Sequence, residues 1–346
     1  MILLSGYYGY GNWGDEAILA SLCQQLEALG WSRQDMVVLS GNPSQTKAYH
    51  KTKAVGRYDM TAITGLLRRR TPVISGGGSL LQDTTSWRTI PYYLGLLELA
   101  RLCGCPTVMY AQGVGPIRRR CFQAWSVRAF QGAAACSVRD SDSDDSLVQW
   151  GLPAGTALVT ADPVYSLVPL QTSQRNRQRL LINLRPLPRD RVDLHGWGAN
   201  LDRWHHEGWQ IGLLPLGPGD SELLRVLTDH RPWLRWEEGA DVQELLEIFA
   251  SYDVTVSMRL HGMIMAAVAG CLPVGVAYDP KVKAAAEQLG SSWVDPANIT
   301  DLRSLVAQLW QRRSDQGAQL DARVAKLRAK AEHNRNVLEA LQRTQT

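Results

Sequence analysis

The chain has 346 residues, 45% of them hydrophobic and 20% charged, with a formal net charge of +4. This is globular composition, with length for two domains and a sizeable core. It excludes a disulfide mini-protein, a collagen-like repeat and a disordered tail. No apolar run reaches the ~18 residues of a transmembrane helix. The amino terminus lacks the basic region and the apolar length of a signal peptide, so a cytoplasmic protein is expected.

Short apolar runs alternate with amphipathic stretches from the start of the chain. Strands are expected at Ile2–Ser5, Met36–Ser40, Pro72–Ser75, Thr107–Ala111 and Ala133–Val138. Helices are expected between them, at Asp15–Leu29, Asp59–Arg69, Pro91–Leu102, Arg120–Gln131 and Asp142–Trp150. Such alternation indicates βα units around a parallel sheet. Around Val168–Arg179 the composition turns to Gln, Thr, Ser, Asn and Arg, which reads as a linker.

The pattern then restarts. Strands are expected at Leu180–Leu184, Gln210–Leu214, Asp253–Ser257 and Pro273–Val276, with helices near Asp202–Glu207, Asp220–His230, Val242–Ala250, His261–Ala269, Val282–Leu289 and Leu302–Arg312. Leu320–Leu341 forms a last amphipathic helix with a basic outer face; it could pack back on the first domain or dimerise. The expected division is residues 1–170, residues 178–315 and a C-terminal helix over 316–346. The fold class is α/β, with two Rossmann-like domains and a cleft between them, where ligands meet the carboxyl ends of strands.

Six cysteines (Cys23, Cys103, Cys105, Cys121, Cys136, Cys271) form no CxxC pair. Buried reduced thiols are expected, without a zinc site or disulfides. The triplets Arg68–Arg70 and Arg118–Arg120 read as solvated loops or helix ends rather than as a nucleic-acid surface.

Five strand ends carry chemistry. The first loop, GYYGYGNWGDE, opens the first helix. Its glycines admit a ligand to the backbone, but it fits neither the dinucleotide fingerprint nor the P-loop. Its acidic residues would repel phosphate, so Asn12 and Asp15 suit sugar hydroxyls; Asp15 could equally be the N-cap of the helix. SGGGSLLQD carries Gly76, Gly77 and Gly78, whose cost in chain entropy is repaid where a ligand or another backbone approaches. Arg139 in SVRDS could fork onto an anion, or pair with Asp140 or Asp142. SMRLHG places Arg259 two residues from His261 at a helix start, a cation beside a residue suited to acid–base work. Lys281 follows the next strand and could be a point charge for phosphate. No metal-binding, Walker or serine-hydrolase signature is present.

Together these stretches, with QGVGPI, ADPVY and the run on to YDPKV, resemble the polysaccharide pyruvyl transferases, especially the bacterial cell-wall type. They span residues 6–283 in order. The resemblance implies a GT-B-like pair of Rossmann-like domains. It also implies transfer of pyruvate from phosphoenolpyruvate onto a sugar of a cell-surface polysaccharide or its precursor, as a ketal. Phosphoenolpyruvate is then a co-substrate, with no cofactor and no metal. The family's Arg-Leu-His motif maps onto Arg259, Leu260 and His261, its upstream Arg onto Arg139, and a further basic residue onto Lys281. His261 is the expected acid/base. Gly76, Gly77 and Gly78 are placed with the phosphoenolpyruvate ligands, and Asn12, Asp15 and Asp83 on the acceptor side. The acceptor would be a glycan, free or lipid-linked; a place at the inner face of the membrane and self-association stay open. Two other classes compete: a GT-B glycosyltransferase using a nucleotide sugar, and a non-catalytic polysaccharide-binding protein.

Overall fold

The computed structural model describes residues 1–83, 89–170, 176–187 and 192–343. Part of the expected linker (171–175) and the residues that follow the triple-glycine motif (84–88) lie outside these residues. The chain divides into two compact units. Unit 1 comprises Met1–Tyr10, Asp15–Ser166 and Leu327–Thr346; unit 2 comprises Gly11–Gly14 and Leu167–Lys326.

In unit 1 the elements alternate as β1 (Ile2–Tyr8), α1 (Trp13–Ala28), β2 (Met36–Ser40), α2 (Pro43–His50), β3 (Lys53–Gly56), α3 (Met60–Arg68), β4 (Val73–Ser75) and β5 (Gly78–Leu81). They continue through α4 (Thr89–Leu102), β6 (Thr107–Val114), α5 (Arg120–Gln131), β7 (Ala135–Val138), α6 (Ser141–Gln149) and β8 (Leu158–Val159). The strand order is β3-β2-β1-β4-β6-β7-β8, with β5 also pairing to β6, and every pairing is parallel. The apolar runs are continuous because both faces are covered. In β1, Leu3 joins one core and Ile2 and Leu4 the other.

Unit 2 follows with β9 (Arg179–Asn183), α7 (Leu194–His206), β10 (Gln210–Leu213), α8 (Asp220–Thr228), β11 (Arg235–Trp236), α9 (Val242–Ala250), β12 (Val254–Ser257) and α10 (Leu260–Val268). Then come β13 (Leu272–Val276), α11 (Pro280–Leu289), β14 (Trp293–Val294) and α12 (Leu302–Gln311). Its sheet has the order β11-β10-β9-β12-β13-β14, again all parallel. The α/β class and the two parallel sheets are those the alternation predicts.

The expected last helix is two, α13 (Arg313–Glu332) and α14 (Asn334–Arg343), and from Leu327 onward it belongs to unit 1. There α14 packs on β6 and β7 and buries Leu338 and Leu341 completely. Each such side chain contributes about 1.5–3 kcal/mol of transfer free energy.

Three departures from the expected elements have local causes. The sequence pattern passes over α2, whose eight residues are mostly polar. It forms because Asn42 accepts from the Gln45 N–H and Pro43 occupies the first turn, the favoured chemistry for a helix start. The start of α7 is hidden by Gly196 and Gly198, poor helix formers, although Asp193 caps it. Finally, α1 begins at Trp13, so Asp15 lies inside the first turn and is not the cap; the Asn12 side chain accepts from the Gly14 N–H at 3.3 Å instead.

Four of the six cysteines are buried; Cys103 is partly exposed and Cys121 exposed, against the expectation of buried thiols throughout. Among the described residues, no helix is long and apolar enough to cross a membrane.

Candidate active site

In unit 2 the carboxyl ends of β9, β10, β12 and β13 carry a compact polar network. Its centre is Asp220, the first residue of α8 and fully buried. Its carboxylate accepts from Arg259 Nε at 2.7 Å and Nη2 at 2.6 Å, from the Leu216 N–H at 3.0 Å and from Asn183 Nδ2 at 3.3 Å. Asn183 is itself buried, with Ser257 Oγ donating to its Oδ1 at 3.0 Å. The same hydroxyl accepts from the Arg259 N–H at 3.0 Å. Side chain and backbone of Arg259 are thus both held. Gly217 makes room for it: a Cβ there would stand 2.5 Å from the guanidinium carbon.

A buried carboxylate needs such satisfaction, and in return it fixes the plane of the fork. Arg259 spends Nε and Nη2 on Asp220, and no described residue engages its Nη1. Arg259 is also the residue before α10 and makes no side-chain cap bond. A helix start of this kind favours negative charge.

Leu260 and His261 are the first two residues of α10, both partly exposed. Leu260 can offer its backbone N–H; its side chain has no chemistry for an anion. Gly14, which clusters with this unit, lies against His261: a Cβ there would be 2.2 Å from Nδ1. One residue earlier, the Trp13 N–H donates to the Leu216 carbonyl at 3.0 Å. The GNWG part of the first loop is thereby fastened to the strand end that also holds Asp220, and Asn12 and His261 lie in one unit.

Lys281 is the second residue of α11 and half-buried rather than a free surface lysine; its N–H is capped by Asp279 at 2.9 Å. At Tyr278 stands a residue the sequence pattern did not single out. Arg185, just past β9, donates to the Tyr278 hydroxyl and lies 4.8 Å from that ring's centre. Its Nε is buried without a partner. Burial raises the Tyr278 phenol most and Asp279 adds to it, while Arg185 and Arg259 pull it down. A lone Arg after an apolar strand was the available signal.

The expected phosphoenolpyruvate residues of the first half lie in unit 1 and are engaged by the protein itself. Arg139 is buried and donates to Asp162 at 3.3 Å, Asp140 at 3.3 Å and Ser79 at 3.1 Å. This links the SVRDS, ADPVY and SGGGS motifs; Asp142 takes no part in these bonds. The three glycines are needed for packing: a Cβ on Gly76 would be 2.0 Å from the Tyr8 hydroxyl, and one on Gly77 3.1 Å from Ile18. Gly78 has φ +97°, with Asp15 Oδ1 3.2 Å from a Cβ there, so Asp15 does adjoin the triple-glycine turn. Asp83 accepts from the N–H groups of Arg118 at 3.0 Å and Arg119 at 3.2 Å, steadying the entry to α5.

Comparison with known proteins agrees with this architecture. The profile of the family described as polysaccharide pyruvyl transferase matches residues 12–280. No curated protein matches the chain in sequence. Among solved structures, the chain is similar to the UDP-GlcNAc 2-epimerase of Neisseria meningitidis bound to UDP-GlcNAc: TM-score 0.69, 12% identity, 99% of this chain and 100% of that one. A putative UDP-N-acetylglucosamine 2-epimerase from Listeria monocytogenes gives TM-score 0.68 at 11% identity, covering 99% and 96%. A glycosyltransferase from Rickettsia africae gives 0.58 at 11%, also covering 99% and 96%. At such identity the likeness is one of fold, GT-B-like, and not of chemistry.

Proposed function

Because the chain belongs to the polysaccharide pyruvyl transferase family, we propose that it transfers the pyruvyl group of phosphoenolpyruvate to two hydroxyls of a sugar in a cell-surface polysaccharide or its precursor. The observation that carries this is the Arg259 fork, held in plane by the fully buried Asp220 two residues from His261. Phosphoenolpyruvate has a carboxylate and a phosphate, and Arg259, Lys281, Arg185 and the α10 amino terminus supply positive charge for both.

The methylene carbon takes a proton and leaves C2 electron-poor. One hydroxyl oxygen bonds to C2, the C2–O bond to phosphate breaks, and a second hydroxyl closes the ketal. The two hydroxyl protons account for the new methyl hydrogen and for one on the released phosphate. His261 moves the proton, and the fixed cations stabilise the charge on the leaving phosphate. Arg139 holds the triple-glycine turn in this scheme and does not touch the anion.

Incubation with phosphoenolpyruvate and a panel of glycans should release phosphate and add the pyruvyl mass to an acceptor. His261→Ala should lower that rate on the order of 10²–10⁴-fold with phosphoenolpyruvate affinity kept. Binding of UDP or GDP, with no binding of phosphoenolpyruvate, would overturn the reading in favour of glycosyl transfer.

A further inference from the structure

Unit 1 carries a second arrangement, at the carboxyl ends of β1 and β3, where ligands approach such sheets. Arg57 directly follows β3 and is 9% exposed. Its guanidinium carbon lies 4.0 Å from the Tyr92 ring centre, 5.2 Å from Tyr58, 5.4 Å from Tyr10 and 5.5 Å from Tyr93. Tyr7 stacks on Tyr10 at 4.4 Å. The cage is built into the backbone: the Tyr92 hydroxyl donates to the Arg57 carbonyl at 2.8 Å, and Gly41 leaves the space that Tyr10 fills.

Asp15 acts on the Tyr7 and Tyr93 phenols of this cage but is not paired with its cation. Arg57 donates from Nη1 to the Tyr10 hydroxyl at 3.2 Å, its Nε is buried without a partner, and no carboxylate pairs with it among the described residues. Burial raises the phenols of Tyr7, Tyr92 and Tyr93, so these rings stay neutral and give no counter-charge. Ring faces offset part of the cost of a buried cation, but an anion would offset more. The rings are not hidden either: Tyr58 is 71% exposed and Tyr7 40%.

We infer that this cage binds a saccharide bearing an anionic group, with the tyrosine rings stacking on the C–H face of the pyranose and Arg57 facing its carboxylate or phosphate. This rests on the reading that the enzyme works on a sugar, and it assigns the acceptor side to Arg57, Tyr58, Tyr92, Tyr7 and Tyr10.

The test is a ligand-observed NMR titration of the whole chain with methyl glucoside, glucuronic acid and glucose 1-phosphate, with inorganic phosphate as a control. An anionic sugar should bind about tenfold more tightly than the neutral one; which of the two binds better identifies the anion as carboxylate or phosphate. Arg57→Gln should erase that gap. Tyr58→Ala, at an exposed site, should weaken all three sugars and keep the gap. Should the Gln variant fail to fold, Arg57→Lys, which keeps the charge, should retain part of the gap.

Equal affinities in the wild type, no binding by any sugar, a gap that survives Arg57→Gln, or inorganic phosphate binding as tightly as glucose 1-phosphate would each overturn the proposal. Phosphoenolpyruvate affinity, measured in parallel, should not change in either variant. A gap that persists while the wild type binds no phosphoenolpyruvate would overturn the pyruvyl reading and still support this site.

Discussion

Asp220 is a carboxylate without water, and its charge is tolerable only because Arg259, Asn183 and a backbone N–H meet it. Its negative charge opposes anion binding, so a purely electrostatic account predicts that neutralising it would tighten phosphoenolpyruvate binding. The geometry argues the reverse, because an unanchored guanidinium loses the fixed plane that makes a fork selective. Asp220→Asn should weaken phosphoenolpyruvate binding about tenfold and lower the melting temperature, since half of a buried pair is then unpaired. Calorimetry showing tighter binding would reject the positioning role. Arg259→Lys keeps the charge and loses the fork, and should bind phosphoenolpyruvate poorly while remaining folded.

At the scale of elements, chemistry sits in the turns that join strands to helices, and Gly14 shows how little room they leave. A methyl group there would stand 2.2 Å from His261 Nδ1, so Gly14→Ala must move the imidazole. Turnover should then fall on the order of 10²-fold, because acid–base transfer requires hydrogen-bond reach, while phosphoenolpyruvate affinity, set by Arg259, holds. A variant with normal turnover would separate the first loop from the chemistry. Apolar runs made the strands readable and helical spacing the helices: the strand Met36–Ser40 and the helices Arg120–Gln131 and Val242–Ala250 have the bounds their periodicity suggests. The Arg-Leu-His turn was readable because two chemically distinctive residues share a strand end. Asp220 was not, since a carboxylate at a helix start looks like a solvated first-turn acid until the fold buries it. Arg57 was missed with β3, whose Lys53–Gly56 offers only Ala54 and Val55 as an apolar run. The tie of Arg139 to Asp162, 23 positions away, was not legible, since the sequence offered only its neighbours Asp140 and Asp142 as partners.

At the scale of the molecule, unit 1 is discontinuous: the chain leaves it after Ser166 and returns at Leu327. The last helix packs on its sheet at β6 and β7, and one residue fastens that return. Asn334 is fully buried; its Oδ1 accepts from Ser137 at 2.7 Å and Thr160 at 2.8 Å, and its Nδ2 donates to the Ala161 carbonyl at 3.1 Å. These partners belong to β7 and the segment after β8, so the latch joins sequence ends more than 170 positions apart. Asn334→Leu has similar volume but no polar atoms, and it leaves two hydroxyls and a carbonyl to find other partners. At about 1–3 kcal/mol for each buried group left unsatisfied, the loss should be roughly 3 kcal/mol after partial relaxation, a fall of several degrees in melting temperature. Because the latch lies wholly in unit 1, phosphoenolpyruvate affinity, carried by Arg259 in unit 2, should not change below the transition. A melting temperature equal to that of the wild type would show that α14 is held by Leu338 and Leu341 alone. A parallel loss of phosphoenolpyruvate binding would show that the C-terminal return also shapes the site in unit 2.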